Sequence, residues 1–285
     1  MPMAFPVRFG LKLSQQIHPV DAQRDAWRIA DEAGFDHLWP FDHLIALGGD
    51  PTQPILDGWT VLGAVAENTK RVHIGLNVTG NLYRHPGLLA KIAVTVDHLS
   101  GGRLEFGIGA AWNEPEFKQQ GLQFPSAADR IRMLDESIRA IKLLWSEPRT
   151  TFKGRFYKFE DAIAEPKPVQ KPHPPIWIGG SGPKRTLRVV AKHADVWNGG
   201  GNGPDETKAL LGILGEHCAK VGRDPKTIRL SRNFRVDDAD AALKQLEWSR
   251  ALGYSDFLLF PAQGVDLRKG AEAAAKLLPR LRAAA

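Results

Sequence analysis

Short apolar runs and longer segments of helical periodicity alternate along this chain of 285 residues. The apolar runs predict strands, and the segments between them predict helices. Strands are predicted at residues 7–13, 36–39, 72–78, 103–108, 176–178, 194–197, 227–234 and 256–260. Repeated strand–helix units imply a parallel sheet, and eight of them favour closure into a (β/α)8 TIM barrel of the α/β class. An open, doubly wound sheet is the alternative.

The segments between the predicted helices contain no linker of the kind that separates domains. The helices cover residues 21–34, 57–69, 86–99, 127–145, 204–221, 239–253 and 265–282, and one further helix opens at Pro183. In residues 127–145, apolar side chains recur every three or four positions, as in an amphipathic helix. Because no linker interrupts the series, residues 1–285 are predicted to form a single domain.

One insertion interrupts the alternation, between the fourth helix and the fifth strand. Residues 150–159, TTFKGRFYKF, alternate apolar and polar side chains about Gly154 and predict a β-hairpin. Such an insertion lies at the rim opposite the strand-to-helix loops unless it folds over. The sequence leaves both arrangements open.

The composition indicates a soluble globular protein of a reducing compartment. Hydrophobic residues make up 43% of the chain, and no apolar run approaches the length of about 18 residues that spans a bilayer. The N-terminal residues lack the features of a signal peptide, and Cys218 is the only cysteine, so we expect a cytoplasmic protein without membrane contact. The net charge of +6 is spread along the helices, which argues against nucleic-acid binding and favours small anionic ligands.

Residues 174–201 carry the most specific functional signal. They predict a strand, a glycine turn formed by Gly179, Gly180, Ser181 and Gly182, and a helix. Such a turn presents free backbone N–H groups at the positive end of the helix dipole, where a phosphate can bind, and the serine can add a hydroxyl donor. The alternative is a tight turn that only needs glycine conformations. Three glycines in four residues before a helix favour the phosphate site.

Active sites of such barrels are built from the loops at the C-terminal ends of the strands. Only the loop after the second strand carries an adjacent acid and imidazole, Asp42 and His43. Histidine takes or gives a proton near neutral pH, and the neighbouring carboxylate can orient it or bind a ligand itself. The alternative is that Asp42 caps a turn and His43 is a surface residue.

Other strand-end residues give weaker signals. The Gly107–Gly109 segment can let the backbone approach a flat ligand, Asn77 and Asn81 can bond the edge of a heterocycle, and three tryptophans can wall a pocket: Trp112, Trp177 and Trp197. Each has a structural alternative in packing or loop capping. The histidines show no metal-ligand spacing, so no metal site is predicted. The absence of a GxSxG elbow and of a P-loop disfavours hydrolases and nucleoside triphosphatases.

Several longer motifs occur along the chain in a fixed order. They are FDHL at residues 41–44, LNVTGNLYRHP at 76–86, GRLEFGIGAAWNEPEF at 102–117, LLWSEPRTTFKGRFY at 143–157, KPHPPIWIGGSGP at 171–183 and HADVWN at 193–198. With these motifs, and over most of residues 5–260, the chain resembles the luciferase-like monooxygenases, and within them the branch that depends on the deazaflavin coenzyme F420. The resemblance implies a (β/α)8 barrel and an oxidoreductase that transfers a hydride between F420 and a small organic substrate.

The resemblance also implies roles for individual residues. Asp42 and His43 match the acid–histidine pair near the deazaflavin ring, with His43 as the proton donor or acceptor. Asn77 and Val78 match a bulge in the third strand, where a non-proline cis peptide backs the ring. We therefore expect that replacing His43 by alanine retains coenzyme binding and removes most turnover.

The loop after the fourth strand matches the family in part. Gly109, Ala110 and Asn113 match the residues that flank the ring and its side chain, and residues 179–182 match the phosphate turn. However, the loop reads GAAWNE, whereas some characterised deazaflavin enzymes carry a catalytic acid in a longer version of it. Glu114 lies near that position and is not aligned with it.

Other functions fit the same barrel. An FMN-dependent monooxygenase and a flavin-binding protein without catalysis are the nearest alternatives to the F420 enzyme. A phosphosugar isomerase ranks last, because paired acid and base carboxylates are missing from the strand ends. The family resemblance also implies a homodimer.

Overall fold

The apolar runs form a closed parallel barrel in the computed structural model, which describes residues 5–262 and 264–285. The strands are β1 (Arg8–Lys12), β2 (His37–Trp39), β3 (His73–Gly75), β4 (Thr79–Gly80), β5 (Leu104–Gly109), β6 (Thr150–Lys153), β7 (Lys158–Ala162), β8 (Ile176–Gly179), β9 (Val196–Asn198), β10 (Arg229–Arg235) and β11 (Asp256–Phe260). The barrel order is β2, β1, β11, β10, β9, β8 and β5, and β3 closes the ring by pairing with both β2 and β5. Because β3 and β4 are two halves of the third barrel strand, the predicted eight-stranded barrel is confirmed.

The helices surround the barrel, and several of them begin at a side-chain cap. They are α1 (Val20–Glu32), α2 (Gly58–Asn68), α3 (Pro86–Leu99), α4 (Glu114–Gln119), α5 (Ala127–Ser146), α6 (Thr186–His193), α7 (Pro204–Lys220), α8 (Ala239–Ala251) and α9 (Leu267–Ala283). The side chains of Asp57, Ser126 and Asp266 each accept a hydrogen bond from a backbone N–H of the first turn.

Two helical features differ from the sequence-based prediction. The helix expected to open at Pro183 begins at Thr186, because residues 183–185 form a turn in which the N–H of Leu187 bonds to the carbonyl of Gly182 at 3.1 Å. The six-residue helix α4 was not predicted, since so short a segment carries no visible periodicity.

Alternation along the strands separates an outer core from the barrel interior. On β1, Phe9 and Leu11 are buried in the core shared with the helices, while Arg8, Gly10 and Lys12 face inward. A second apolar cluster fills part of the interior: Trp39, Trp177, Val196 and Leu258.

A layer of charged side chains closes the N-terminal end of the barrel. Arg8 donates to Glu105 and to Asp256, both at 2.8 Å, and Arg229 donates to Asp256 at 3.0 Å. Burial opposes ionisation of Glu105, but the charge of Arg8 and the nearby His73 and His37 together outweigh it and hold the pKa of Glu105 well below its usual range. Because this end is filled, space for a ligand is left at the opposite end.

The predicted hairpin is confirmed and consists of β6 and β7. Near its turn, the N–H groups of Phe156 and Tyr157 donate to the carboxylate of Glu136 in α5. The rings of Tyr157 and Phe159 lie 5.6 and 5.3 Å from the ring of His85, which caps the start of α3. The hairpin therefore folds along the outside of α3 and α5 toward the rim that carries the strand-to-helix loops.

Candidate active site

A cavity of about 780 Å³ opens at the C-terminal ends of the barrel strands, where TIM barrels carry their active sites. Its walls contain all but one of the residues that the sequence analysis assigned to the acid–histidine pair, to the neighbourhood of the ring and to the glycine turn. Asn81, which gave a weaker signal, does not line it. The predicted residues that line it are Asp42, His43, Asn77, Val78, Gly109, Ala110, Gly179, Gly180, Ser181 and Gly182. Asn113 lies outside the lining, at the position preceding α4.

His43 is held by a carboxylate that the sequence analysis did not single out. Its Nδ1 lies 2.9 Å from Oε1 of Glu116, which is buried in α4. The same carboxylate accepts hydrogen bonds from the hydroxyl of Tyr83 and, at 3.0 Å, from the backbone N–H of Leu44. Because an ionised carboxylate only accepts, Nδ1 carries a proton, and Nε2 has no hydrogen-bond partner among the described residues.

The charge of Glu116 follows from its partners. Burial raises the pKa of a carboxyl group, but the hydrogen bonds from His43, Tyr83 and Leu44 outweigh this effect and lower the pKa of Glu116. For Tyr83, burial and the adjacent carboxylate both act to raise the pKa of the phenol. Near neutral pH the site therefore contains an ionised Glu116 that accepts from a neutral tyrosine and from the imidazole.

Asp42 does not orient its neighbour His43. Its buried carboxylate forms a bidentate ion pair with Arg84, with N–O distances of 2.7 and 3.3 Å, and also accepts a bond from the hydroxyl of Thr79. Burial raises the pKa of Asp42, and the charge of Arg84 opposes this rise. Of the roles left open by the sequence, orientation of the imidazole therefore belongs to Glu116 and not to Asp42.

A break in the third barrel strand places Asn77 and Val78 in the cavity wall. Between β3 and β4 the peptide bond joining these two residues is cis, as the family resemblance implied. Glycines on β5 make room for the displaced chain: a Cβ on Gly107 would lie 1.9 Å from the carbonyl oxygen of Leu76, and one on Gly109 would lie 2.9 Å from Val78. These glycines thus admit the bulge, whereas the sequence suggested that they admit a flat ligand.

The bulge is fixed by a ring of side-chain amides. Asn77 donates to Asn198 at 3.1 Å, Asn198 donates to Asn233 at 2.9 Å, and Asn233 donates back to Asn77 at 3.0 Å. Asn198 also donates to the hydroxyl of Ser231. Since its amide is occupied in this way, Asn77 presents its backbone to the cavity and does not offer a free side chain to a heterocycle.

The glycine turn after β8 retains two free backbone donors. Within the described part of the chain, no acceptor lies within hydrogen-bond range of the N–H groups of Ser181 and Gly182. The N–H of Gly180 is occupied by the carbonyl of Asn198 at 3.1 Å. The hydroxyl of Ser181 bonds to the backbone of Gly200, so it is not the ligand donor that the sequence suggested.

Arg130 adds a cation to the cavity wall that the sequence analysis missed. It lines the cavity from the first turn of α5, and its guanidinium lies 3.9 Å from the centre of the Phe124 ring. Nη1 donates to the carbonyl of Pro125, while the buried Nε has no partner among the described residues. An arginine without a carboxylate partner is suited to an acidic ligand.

Of the three tryptophans considered as pocket walls, only Trp112 lines the cavity. It is 66% exposed, and its ring lies 5.6 Å from the ring of His43. Trp177 is buried and donates to Glu105 in the charged layer, and Trp197 donates to the carbonyl of Gly180. Trp112 is therefore the tryptophan that a bound ligand would contact.

Glu116 carried little signal in the sequence. It lies two residues after Glu114, which the sequence analysis considered and which is exposed in the structure. Only the fold of α4 turns Glu116 inward toward His43.

Other classes of site are not found in the described part of the chain. There, no helix is long and apolar enough to cross a membrane. Among the same residues, no group of histidine, cysteine, aspartate and glutamate side chains is arranged to hold a metal ion.

Comparison with known proteins identifies relatives of this chain. A sequence profile of the family described as luciferase-like monooxygenase matches residues 2–281. The chain is 34% identical over 254 residues to the F420-dependent glucose-6-phosphate dehydrogenase of Microbacterium testaceum. The alignment covers 85% of this chain and 73% of that protein. It is 30% identical over 208 residues to the FMNH2-dependent dimethylsulfone monooxygenase of Pseudomonas putida. That alignment covers 73% of this chain and 56% of the monooxygenase.

The fold also has close counterparts among solved structures. An F420-dependent secondary alcohol dehydrogenase in complex with an F420–acetone adduct superimposes with a TM-score of 0.86, at 19% identity. The superposition covers 98% of this chain and 100% of that chain. At this low identity the likeness concerns the fold.

Proposed function

The chain belongs to the luciferase-like monooxygenase family, and we propose that it is an oxidoreductase that transfers a hydride between coenzyme F420 and a small organic substrate. One observation carries the proposal: the free N–H groups of the glycine turn and the imidazole held by Glu116 line the same cavity. The relative with 34% identity, which is named for F420, supports this coenzyme.

The cavity residues fit a phosphate-bearing coenzyme. The free N–H groups of Ser181 and Gly182 precede α6, where the helix dipole adds positive potential. Arg130 adds to the cavity wall a guanidinium that has no carboxylate partner among the described residues. The volume of about 780 Å³ lies within the range of about 300–1,000 Å³ that is usual for cofactor sites.

In this proposal the protein contributes binding, orientation and proton transfer. When bound, the deazaflavin supplies the carbon that gives or takes the hydride. Since Glu116 holds the Nδ1 proton of His43, Nε2 is the atom that takes a proton from the substrate or returns one to it. The bulge at Asn77 and Val78, fixed by its ring of amides, forms a rigid wall for the coenzyme.

Titration of the purified protein with F420 and, separately, with FMN tests the coenzyme. Quenching of the Trp112 fluorescence reports binding, and Trp112→Phe is the matched control, with calorimetry to confirm that this variant still binds. F420 binding that is at least about tenfold tighter than FMN binding, or about 1.4 kcal/mol, is the expected result. Tighter binding of FMN contradicts the proposal.

An FMN-dependent monooxygenase is the second candidate function. The relative with 30% identity is named for reduced FMN, and a phosphate turn serves FMN as well as F420. A third outcome, tight binding of either coenzyme with no turnover of any donor or acceptor, would identify a flavin-binding protein without catalysis.

We also propose that the enzyme is a cytoplasmic homodimer. Leu88 and Leu99 are exposed on the same face of α3, eleven residues and three turns apart. Exposed apolar side chains on one helix face favour burial against a second subunit.

A further inference from the structure

Lys12 places a cation in the interior of the barrel, at the C-terminal end of β1. Successive side chains of a strand point to opposite faces, and the residues of the same parity on β1 face inward. Arg8 reaches Glu105 inside the barrel, and a Cβ on Gly10 would lie 1.8 Å from His37. Lys12 is the next residue in this row and lines the cavity.

Within the described residues, no hydrogen bond or ion pair occupies the ammonium group of Lys12. Three other groups that line the cavity have charged partners among the described residues: Asp42 is held by Arg84, His43 by Glu116, and Arg235 is paired with Asp237 at 2.8 Å. Arg130 is a second cavity cation without a carboxylate partner there. Asp42 is the one carboxylate among the described residues that line the cavity, and Arg84 already pairs with it.

Burial without a counter-charge has a measurable effect on this group. It lowers the pKa of Lys12 to about 8, and no carboxylate opposes the shift. An unpaired cation inside a protein costs free energy that a neutral residue would not. Such a group is expected where a ligand supplies the missing negative charge.

The barrel order places Lys12 opposite the glycine turn. Counted in either direction around the barrel, β1 lies four strands from β8. A ligand whose phosphate binds the free N–H groups after β8 therefore extends across the mouth toward β1. A second anionic group, on the bound coenzyme or on the substrate, would therefore lie near Lys12.

We propose that Lys12 binds an organic anion inside the cavity, at a site opposite the phosphate turn. This inference rests on the proposed function and extends it. The negative charge has two sources with the same chemistry: the reduced coenzyme ring, which is an anion when it holds the hydride without an added proton, or an acidic group of the substrate. In both cases, Lys12 selects for the ligand that brings the charge.

The ionisation of Lys12 provides a direct readout that does not depend on turnover. An anion near the ammonium group stabilises its protonated form, so binding raises the pKa of Lys12 above about 8. By linkage, a rise of one unit means that protonation strengthens the binding of that ligand about tenfold. Other titratable or charged groups that line the same cavity are His18, Asp42, His43, Tyr83, Arg130 and Arg235.

The experiment measures the pKa of Lys12 by NMR of protein labelled at the lysine ε-carbon, with the signal assigned by its loss in Lys12→Met. Spectra are recorded for the free protein, with oxidised F420, with reduced F420, and with oxidised F420 plus benzoate or inorganic phosphate. Lys208→Met, at an exposed position of α7, is the matched control. Affinities of all probes are measured for both variants by calorimetry, after their unfolding midpoints have been compared with the wild type.

A rise of about one unit or more with reduced but not oxidised F420, together with an about tenfold loss of reduced-F420 affinity in Lys12→Met, supports the ring as the source. If the pKa of Lys12 rises only when benzoate or phosphate is added, and Lys12→Met binds that anion about tenfold more weakly, an acidic group of the substrate is supported as the source. If no probe moves the pKa and Lys12→Met binds every probe like Lys208→Met, the proposal is overturned. If wild-type protein fails to bind F420, the proposed function fails, and the arms with benzoate and phosphate, repeated on the coenzyme-free protein, decide on Lys12. Should Lys12→Met not fold, Lys12→Gln takes its place.

Discussion

Asp42 and His43 are adjacent in the sequence, yet each is held by a partner from another part of the chain. His43 bonds to Glu116, 73 positions away, and Asp42 pairs with Arg84, 42 positions away. Since the two carboxylates have different partners, they have different effects: Glu116 fixes the imidazole, and Asp42 fixes the loop around it. The chemistry of the site therefore depends on His43 and Glu116 together.

Replacing His43 by alanine is expected to remove most turnover and to leave coenzyme binding intact. The imidazole is proposed to transfer the proton through its free nitrogen, and loss of such a group costs about 10²–10⁴-fold in rate. Steady-state kinetics give kcat, and fluorescence titration gives the F420 affinity. Turnover equal to that of the wild type would remove His43 from the mechanism.

Glu116→Gln is expected to lower kcat, with little change in coenzyme affinity, because Glu116 acts through His43. The neutral amide no longer requires a proton on Nδ1, so the reactive nitrogen is no longer defined. Glu114→Gln, two residues earlier and exposed, is the control. Equal kcat in the two variants would show that Glu116 does not position the imidazole.

Glu116→Gln is also expected to lower the free energy of unfolding by an amount that depends on pH. The folded protein lowers the pKa of Glu116 below its ordinary value of 4.5, so the ionised group stabilises the fold above that pH. This contribution is lost as the pH falls through the folded-state pKa. Urea unfolding should show a stability advantage of the wild type over Glu116→Gln at pH 7 that shrinks below pH 4.5. An advantage that is constant with pH would contradict the assignment of charge.

At the scale of elements, the break between β3 and β4 shapes the cavity wall, and glycines on the neighbouring strands make the break sterically allowed. The backbone of Leu76 approaches Gly107, and the side chain of Val78 lies against Gly109 and Gly179. These glycines of β5 and β8 are therefore needed so that the bulge between β3 and β4 can pack against the two strands. The same bulge brings Asn77 into its ring of amides.

Gly107→Ala is expected to destabilise the protein by about 3 kcal/mol or more, because the new methyl would lie 1.9 Å from a backbone oxygen that cannot move aside. The matched control is Gly212→Ala in α7, where nothing lies within 4 Å of the added Cβ. There, helix propensity predicts a gain of up to about 1 kcal/mol. Denaturant unfolding measures both, and a neutral result at Gly107 would contradict the close approach.

At the scale of the whole molecule, the charged layer connects strands that are distant around the barrel. Arg8 of β1 joins Glu105 of β5 to Asp256 of β11, and Arg229 of β10 contacts the same aspartate. Since Glu105 and Asp256 are buried, these carboxylates depend on their positively charged partners to remain ionised. The layer fills one end of the barrel and thereby leaves the ligand cavity at the other.

Arg8→Met is expected to destabilise the protein by about 3–5 kcal/mol, because it leaves buried carboxylates without their main counter-charge. The activity per folded molecule should not change, since Arg8 lies at the opposite end from the cavity. Arg268→Met, which removes an exposed pair with Glu272, is the control and should cost less than about 1 kcal/mol. Similar losses in both variants would contradict a structural role for the layer.

Leu88→Asp is expected to shift the proposed homodimer to a monomer, because a charge would be buried at the face of α3 that is proposed to contact the second subunit. Light scattering after gel filtration measures the mass. The control is Val221→Asp, an exposed apolar residue after α7. A wild-type protein of monomer mass would remove the homodimer from the proposal.

Much of the fold was predictable because it depends on local patterns. Strand positions follow from apolar runs, helix starts follow from caps such as Asp57 and Ser126, and repetition of the unit favours a closed barrel. The glycine turn and His43 were also found, since strand ends mark the active-site rim of a barrel. The start of α6 was placed too early, because Pro183 fits a turn as well as a helix.

Local patterns in the sequence specify the barrel, the rim at which its cavity opens, and the glycine turn at that rim, because these depend on periodicity and on short-range order. Which side chains meet depends on the three-dimensional fold. It turned Glu116 toward His43, paired Asp42 with Arg84, occupied the amide of Asn77, and left Lys12 and Arg130 facing the cavity without a carboxylate partner. The physical reason is that partners far apart in the chain are brought together by strand register and helix packing, which no local pattern records.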